Sequence, residues 1–527
     1  MNKGVNLHIH KKIIPLIFIC ALLFQCPTLA IDESTLPKVE QVEAQTVKVK
    51  QGSVLSLNDC IAIALNNSPE IKSAQYDYWI TKTDVNIAKS QFFPTIGIGT
   101  GYDFTDTRVK SRSSDVNSYN LNATLNMLLF DFGKTYAQIK MQKFYLIADE
   151  YNFYNAVREV TFDVKQKYYR VLAARANVLI NQAYVDINER NYLRTKAYFD
   201  EGLKSKIDVV NAEVNLSDAK IQLVDGQNNL LNSIIALQNS MYYTDDKPFV
   251  VKNTESFGFL KADYKKKFES VNNPKTQPTP TLKRDEDGLI TLSSGIEHND
   301  IIQDYKFNPM SLTKQEAVDK ALELRPDLKS DEILVMVQEE SLKAIRRSYA
   351  PDVTGSATWS YSKNEHTYSS PLQLGVGIGL GSINPYGIHY QIKEGESYLN
   401  IAKHNVNLAK SDIYWEVQNN YINMRQLERK IPILNTKVKA ALENFELADG
   451  RYSVGLNNYV ELQDALASYN NSQLNFVEAV FNYNVARETL LKSMGVGLEE
   501  QSSRVKRVPK AGKQIINTSS SQAGTGI

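Results

Sequence analysis

The chain has 527 residues, with 60 Lys and Arg against 59 Asp and Glu for a net charge of +1; a balance this even argues against a nucleic-acid binder, which concentrates positive charge. Beyond the N-terminal segment no window approaches the roughly eighteen consecutive apolar residues of a membrane helix, so helical spans are excluded and any membrane insertion must use strands. The length leaves room for several domains. Three cysteines and six scattered histidines supply neither a disulfide framework nor a cysteine-based metal cage.

Residues 1–30 read as a secretory signal peptide. Lys3, Lys11 and Lys12 precede the uncharged apolar run Ile13 to Phe24, and Thr28 and Ala30 are the small residues of a cleavage site before Ile31. A lipoprotein reading would acylate Cys26, but Gln25 before it is too bulky for the usual recognition sequence. Cys20 and Cys26 lie within this leader. Cys60 then stands alone in an apolar stretch, where a cysteine acts as a small core residue. Residues 31–55 form an N-terminal extension.

From Ser56 onward the sequence repeats itself. Ala64-Leu65 corresponds to Ala321-Leu322, Pro69 to Pro326, Lys72-Ser73 to Lys329-Ser330 and Pro94 to Pro351, all at an offset of 257; Gly202 and Gly455 are 253 apart. This is one large duplicated unit and not a short-period solenoid. The copies span 56–244 and 311–495, each reading helix, strand, strand, helix, helix. The first helix breaks near Pro69 and stops before Pro94, where proline ends helical geometry. After Gly133 a helical pattern runs to Glu201, some 65 residues or about 100 Å. That length needs lateral support, and heptads supply it: Val157, Val164, Val171, Val178 and Val185 in the first copy; Leu462, Tyr469, Phe476, Tyr483 and Leu490, interleaved with Leu466, Val480 and Met494, in the second. An ordinary amphipathic bundle would explain the period but not the length.

Between the helices four segments alternate with period two. Ile96, Ile98, Tyr102 and Phe104 oppose Thr95, Gly97, Gly99, Gly101 and Asp103. Tyr119, Leu121, Ala123, Leu125, Met127 and Leu129 oppose Asn120, Asn122, Thr124 and Asn126. Val353, Ala357, Trp359 and Tyr361 oppose Thr354, Ser356, Thr358 and Ser360. Leu372, Leu374, Val376, Ile378 and Leu380 oppose Gln373, Gly375, Gly377, Gly379 and Gly381. Apolar residues on one face with small polar ones on the other are the pattern of an outer-membrane barrel strand. The loops 106–118 and 363–371 are polar and are expected to face outward. Four strands cannot close a barrel, and lipid tolerates no bare edge, so the barrel must be shared between chains; composition does not choose between two and three copies.

Two regions read as accessories. Residues 245–310, with Pro248, Pro274, Pro278, Pro280 and Pro309, form an irregular insertion. The tail 496–527, with Arg504, Lys506, Arg507, Lys510 and Lys513, has the composition of a disordered segment.

The stretches SLNDCIAIALNNSPEI, AKSQFFPTIGIG, LFDFGKTYAQI, FDEGLKSKIDVVNAE and RYSVGLNNYVELQDALASYNNSQLNFVEAVFNYNVARETLLKSMG carry a resemblance to the TolC-like outer-membrane efflux proteins, over roughly residues 56–495. The resemblance implies a mostly α fold with a small β part: long coiled-coil-like helices forming a periplasmic α-barrel, and four strands contributing to a trimeric, twelve-stranded outer-membrane β-barrel. It also implies a homotrimer in the outer membrane, joined by a periplasmic adaptor (membrane fusion) protein and an inner-membrane pump, ABC or proton-driven, with no cofactor and no nucleic acid. Gly202-Leu203 and Gly455-Leu456 then become the helix-to-helix turns where the adaptor engages. Glu461 and Asp464, one helical turn apart, map onto the acidic ring of the periplasmic aperture, where six carboxylates around one axis would favour a cation. Tyr452 and Asp208 map onto a closing link. Asn457 stands where relatives have an arginine, and Ile207 where they have a polar residue.

No phosphate loop, HExxH-type pair or nucleophile elbow is present, and Gly495-Val496-Gly497 is too short a match to signify, so the sequence points away from an enzyme. A soluble periplasmic coiled-coil adaptor would account for the leader and the helices but not for the four alternating strands. A self-contained porin or adhesin lacks the strand count.

Overall fold

The computed structural model describes residues 53–109, 112–245, 249–253, 282–284, 290–292, 307, 309–364, 367–379 and 384–496, all within one compact unit, Val42–Val505. The leader, most of the 31–55 extension and all but the first residue of the tail lie outside the described residues, as does Leu380.

Each copy opens on a capped short helix. After β1 (Val54–Leu55), helix α1 (Leu57–Asn67) starts in a capping box: the Ser56 hydroxyl accepts from the Asp59 amide while Asp59 accepts from Ser56. Ser68 ends it and caps α2 (Pro69–Ser90), whose first position is held by Pro69. The second copy repeats this with Thr313 and Glu316 at the start of α5 (Lys314–Leu324) and Pro326 leading α6 (Pro326–Arg346), but Arg325 replaces Ser68 at the junction. The long helices follow the strands: α3 (Lys134–Asp200, 67 residues) and α4 (Lys206–Ser240) in the first copy, α7 (Pro385–Ser453, 69 residues) and α8 (Tyr459–Ser493) in the second. Every member of both leading heptad series is buried, because a helix about 100 Å long is held straight only by neighbours filling its seam.

The duplication extends to individual bonds. The Tyr168 hydroxyl on α3 lies 3.4 Å from the carbonyl of Leu55 and donates at 2.5 Å to that of Lys252, whose amide donates to Leu55, and the Tyr421 hydroxyl on α7 donates to Leu312 at 3.0 Å. Each long helix thus pins the residue just before its copy's first capping box. In the first copy the pinned segment also pairs in parallel with β4 (Val250–Val251), whose Val251 carbonyl accepts from buried Arg175 at 2.7 Å. In the second copy Arg425 donates to Leu312 at 2.7 Å instead.

The four main strands form one antiparallel sheet in the order β2 (Thr95–Val109), β3 (Arg112–Phe130), β7 (Asp352–Asn364), β9 (Leu372–Gly379), with the short β8 (Tyr368–Ser369) also on β7. The register keeps like with like. Ile96, Leu125, Ala357 and Leu374 form a row across all four strands, and Gly97, Thr124, Thr358 and Gln373 the next row on the opposite face. Two sequence expectations are corrected here. The segment 106–118 is not a loop: the hairpin stays paired out to Val109 and Arg112, because ladder hydrogen bonds propagate through polar, proline-free residues as readily as through apolar ones. Likewise Lys363 and Ser369 of the second expected loop lie in β7 and β8. Within 245–310, expected to be irregular, β4 is joined by an antiparallel pair, β5 (Leu282–Arg284) and β6 (Ile290–Leu292).

The helices repeat the order of the sheet. Helix α3 packs against α2 and α4 on one flank and against α6 and α8 on the other, and α7 packs against α6 and α8. Each layer therefore ends in the same two places: at β2, α2 and α4 on one side, and at β9 and α7 on the other.

Glu150 is one of several ionisable groups buried inside this layer. Burial pushes the Glu150 carboxyl from its ordinary value near 4.5 up to about 7, despite a hydrogen bond from the Tyr154 hydroxyl. The folded protein holds a proton that the unfolded chain releases. The penalty for ionising this group is therefore absent below about pH 4.5, grows as pH rises, and is complete above about pH 7, reaching at most about 3 kcal/mol. Glu150→Gln is expected to raise the thermal midpoint of the detergent-solubilised protein at pH 8 but hardly at pH 4.5; equal gains at both pH values would contradict the assignment.

Candidate functional site

Two surfaces are the candidates for function: the sheet, and the cluster of turns at the opposite end of the long helices.

On the sheet both faces are uncovered, and one of them is apolar. Ile98 is 78% exposed and Val376 75%, and Ile96, Tyr102, Phe104, Leu374 and Ile378 are open as well. A contiguous apolar face of this size is unfavourable in water and is what hydrocarbon requires of a barrel strand. Where strands give way to helices, Phe93, Phe130, Phe132, Tyr136, Tyr349 and Tyr386 are exposed too, an aromatic belt of the kind that marks a membrane–water interface. Among the described residues the outer edges of β2 and β9 have no strand partner, and no helix is long and apolar enough to cross a membrane. Cys60 is fully buried with its thiol pushed up to about 12, mainly by burial.

At the far end, α3 and α7 stop in matching motifs. Gly202 (φ +76°) and Gly455 (φ +78°) occupy the left-handed region that only glycine enters without strain. The Gly202 amide donates to Phe199 and the Leu203 amide to Tyr198, both at 2.8 Å; Gly455 donates to Tyr452 at 3.1 Å and Leu456 to Arg451 at 2.9 Å. These are paired Schellman closures. They leave Leu203 71% and Leu456 76% exposed, beside exposed Val454 and Phe199.

The next helices start with side-chain caps. Asp208 accepts from the Ser205 hydroxyl at 2.9 Å and its amide at 3.3 Å, opening α4; the Asn458 side chain accepts from the Glu461 amide at 2.8 Å, opening α8. Glu461 and Asp464 are exposed on α8, one turn apart, and Asn457 and Ile207 flank the turns. Tyr452 and Asp208 are not joined by a hydrogen bond. Tyr452 is fully buried and shares a 3.0 Å hydrogen bond with Thr195, while Asp208 is committed to its cap. Arg194 and Lys204 approach the Tyr452 ring at 5.1 and 4.8 Å, and Arg194 pairs with Asp449 at 2.5 Å. Burial raises the Tyr452 pKa. The sequence reading missed Arg194, Thr195 and Asp449. Their signal was only positional: they lie within eight residues of the glycines, near the ends of α3 and α7.

A duplicated chain that presents a lipid-compatible four-strand sheet at one end of long paired helices, with both flanks open, is a subunit of an outer-membrane channel. Residues 60–241 and 317–496 match the outer membrane efflux protein family, and the chain belongs to it. It is similar to the outer membrane protein TolC of Escherichia coli, with 21% identity over 82% of this chain and 81% of the relative. It also resembles the alkaline protease secretion protein AprF of Pseudomonas aeruginosa, 24% identical over 31% of this chain and 34% of that protein. The solved outer membrane channel CmeC of Campylobacter jejuni shares the fold, at TM-score 0.64 and 14% identity over 90% of this chain and 98% of that one. The protein is thus an outer-membrane channel of the efflux and secretion class, with its helical part in the periplasm.

The contact at the turns is testable. A double-mutant cycle of Tyr452→Phe and Thr195→Val, read by urea unfolding in detergent, is expected to give a coupling of about 1 kcal/mol; a coupling near zero would mean that the hydroxyls do not bond.

Proposed function

We propose that three copies of this chain close into the exit duct of a tripartite export assembly, twelve strands forming the barrel and the helices a periplasmic tube. The coincidence of open edges in both layers carries this reading. Ile207, Val210, Val214, Ile221, Val224, Leu231 and Ile235 form an exposed apolar heptad stripe along α4, and Ile401, Leu408, Trp415 and Ile422 form another along α7. Two different edges that complement each other make a head-to-tail contact, which closes into a ring. Two copies would give eight strands, too narrow for a useful lumen; three is the number implied by the family resemblance. The exposed apolar sheet face counts against a soluble adaptor, and transport, not catalysis, is the function inferred.

In this reading 1–30 is the leader and 56–244 and 311–495 are the two repeats. The exposed leucines at Gly202-Leu203 and Gly455-Leu456 are the docking points for a periplasmic adaptor that couples the duct to an inner-membrane pump. Glu461 and Asp464 ring the aperture. The closing contacts are Thr195–Tyr452 and Arg194–Asp449, with Asp208 shaping its turn through the cap. Drug efflux and polypeptide secretion both suit this architecture.

Ile221→Asp with Val224→Asp is expected to turn a detergent-solubilised trimer into monomers by light scattering. A wild-type mass other than three copies, or a variant that stays trimeric, would refute the seam. Glu461→Gln with Asp464→Asn is expected to abolish block of single-channel current by periplasmic divalent cations; unchanged block would remove these residues from the aperture.

A further inference from the structure

The face of the sheet opposite the lipid-compatible one is unusual in its chemistry. On β3 and β7 it presents amides and hydroxyls, among them Asn120, Asn122, Thr124, Ser356, Thr358 and Ser360, and on β2 and β9 mostly glycine backbone. Among the described side chains of that face only two are ionisable. Asp352, at the helix end, is ion-paired with Lys134. Asp103 accepts from the Asn120 side-chain amide at 2.6 Å. The turn end of the molecule is the contrast, with Glu461 and Asp464 exposed close together on one helix.

We infer that the barrel section of the duct, from the helix end out to the row of Asp103, Ser118 and Asn364, is a charge-neutral passage that admits cationic, anionic and zwitterionic solutes alike, so that no discrimination by charge arises there. This rests on the proposed reading that three sheets enclose a lumen with their polar faces inward. Hydroxyl and amide dipoles are both donors and acceptors and reorient toward either sign of charge, whereas fixed like charges in a confined channel concentrate counter-ions by an order of magnitude or more. Twelve strands about 4.8 Å apart, tilted by about 40°, set the wall roughly 12 Å from the axis. One carboxylate per chain at that distance is screened over about 8 Å at physiological ionic strength. The many glycines on this face add no side chain that could filter by contact.

The test uses single cysteines in the full-length protein in intact outer membranes. Ser360→Cys lies on the polar face, Thr358→Cys beside it is the second variant, and Trp359→Cys lies on the opposite face; native Cys60 is buried and silent. A trimethylammonium and a sulfonate methanethiosulfonate reagent are added from outside, and each rate is divided by that reagent's rate with a free thiol. The normalised rates at Ser360→Cys and Thr358→Cys are expected to agree within about threefold, and Asp103→Asn to leave them unchanged; a preference of about tenfold for one sign at both positions would overturn the inference. Trp359→Cys reacting while both polar-face cysteines stay inert to both reagents would instead bring down the lumen assignment, and the inference with it.

Discussion

Every backbone amide and carbonyl at the rim of a sheet needs a partner, and hydrocarbon offers none. The four strands here turn an apolar face outward yet leave β2 and β9 without outer neighbours, so one chain cannot satisfy the constraint. Several kcal/mol per unpaired group outweighs the entropy of association, and in the proposed trimer each edge meets that of an identical chain. The helical layer obeys the same demand by different chemistry. What is unpaired at its flanks is apolar surface, the α4 and α7 stripes, and water penalises it by area.

Because strands and helices share one lateral order, a single contact between neighbouring chains of the proposed trimer would serve both environments. The duplication makes this possible: two copies of a strand–strand–helix–helix unit lie side by side, joined through β3–β7 and through α3 with α6 and α8. The tyrosine clamps at Leu55 and Leu312 show that the copies still solve the same local problem, anchoring the entry to a short helix against a long one. Where they diverge, the substitution is chemically legible. A short strand supported by Arg175 braces one copy, and an Arg425 guanidinium takes that strand's place in the other.

At the far end the chain combines rigid turns with a polar contact between hairpins. The Schellman closures fix the ends of α3 and α7 through backbone bonds alone, leaving their leucines free. Tyr452, Thr195, Arg194 and Asp449 join the two hairpins by one hydrogen bond and one ion pair, bonds that exchange with water at modest net cost. Cohesion there is therefore weaker than along the buried heptads.

Much of this was written in one dimension. Period and length determined the long helices, alternation determined which strand face is apolar, and proline, glycine and capping residues determined where elements begin and end, since each of these acts within a few residues. The duplication, and from the strand count the need for partners, were legible as well. Tertiary structure decided which edges stay open and that they coincide in both layers. It extended the hairpin through residues read as loop, and it paired Tyr452 with Thr195 while Asp208 was drawn into a cap. Those outcomes depend on which distant side chain arrives within 3 Å, and a local cap three residues away competes with a long-range partner in a way that residue type does not reveal.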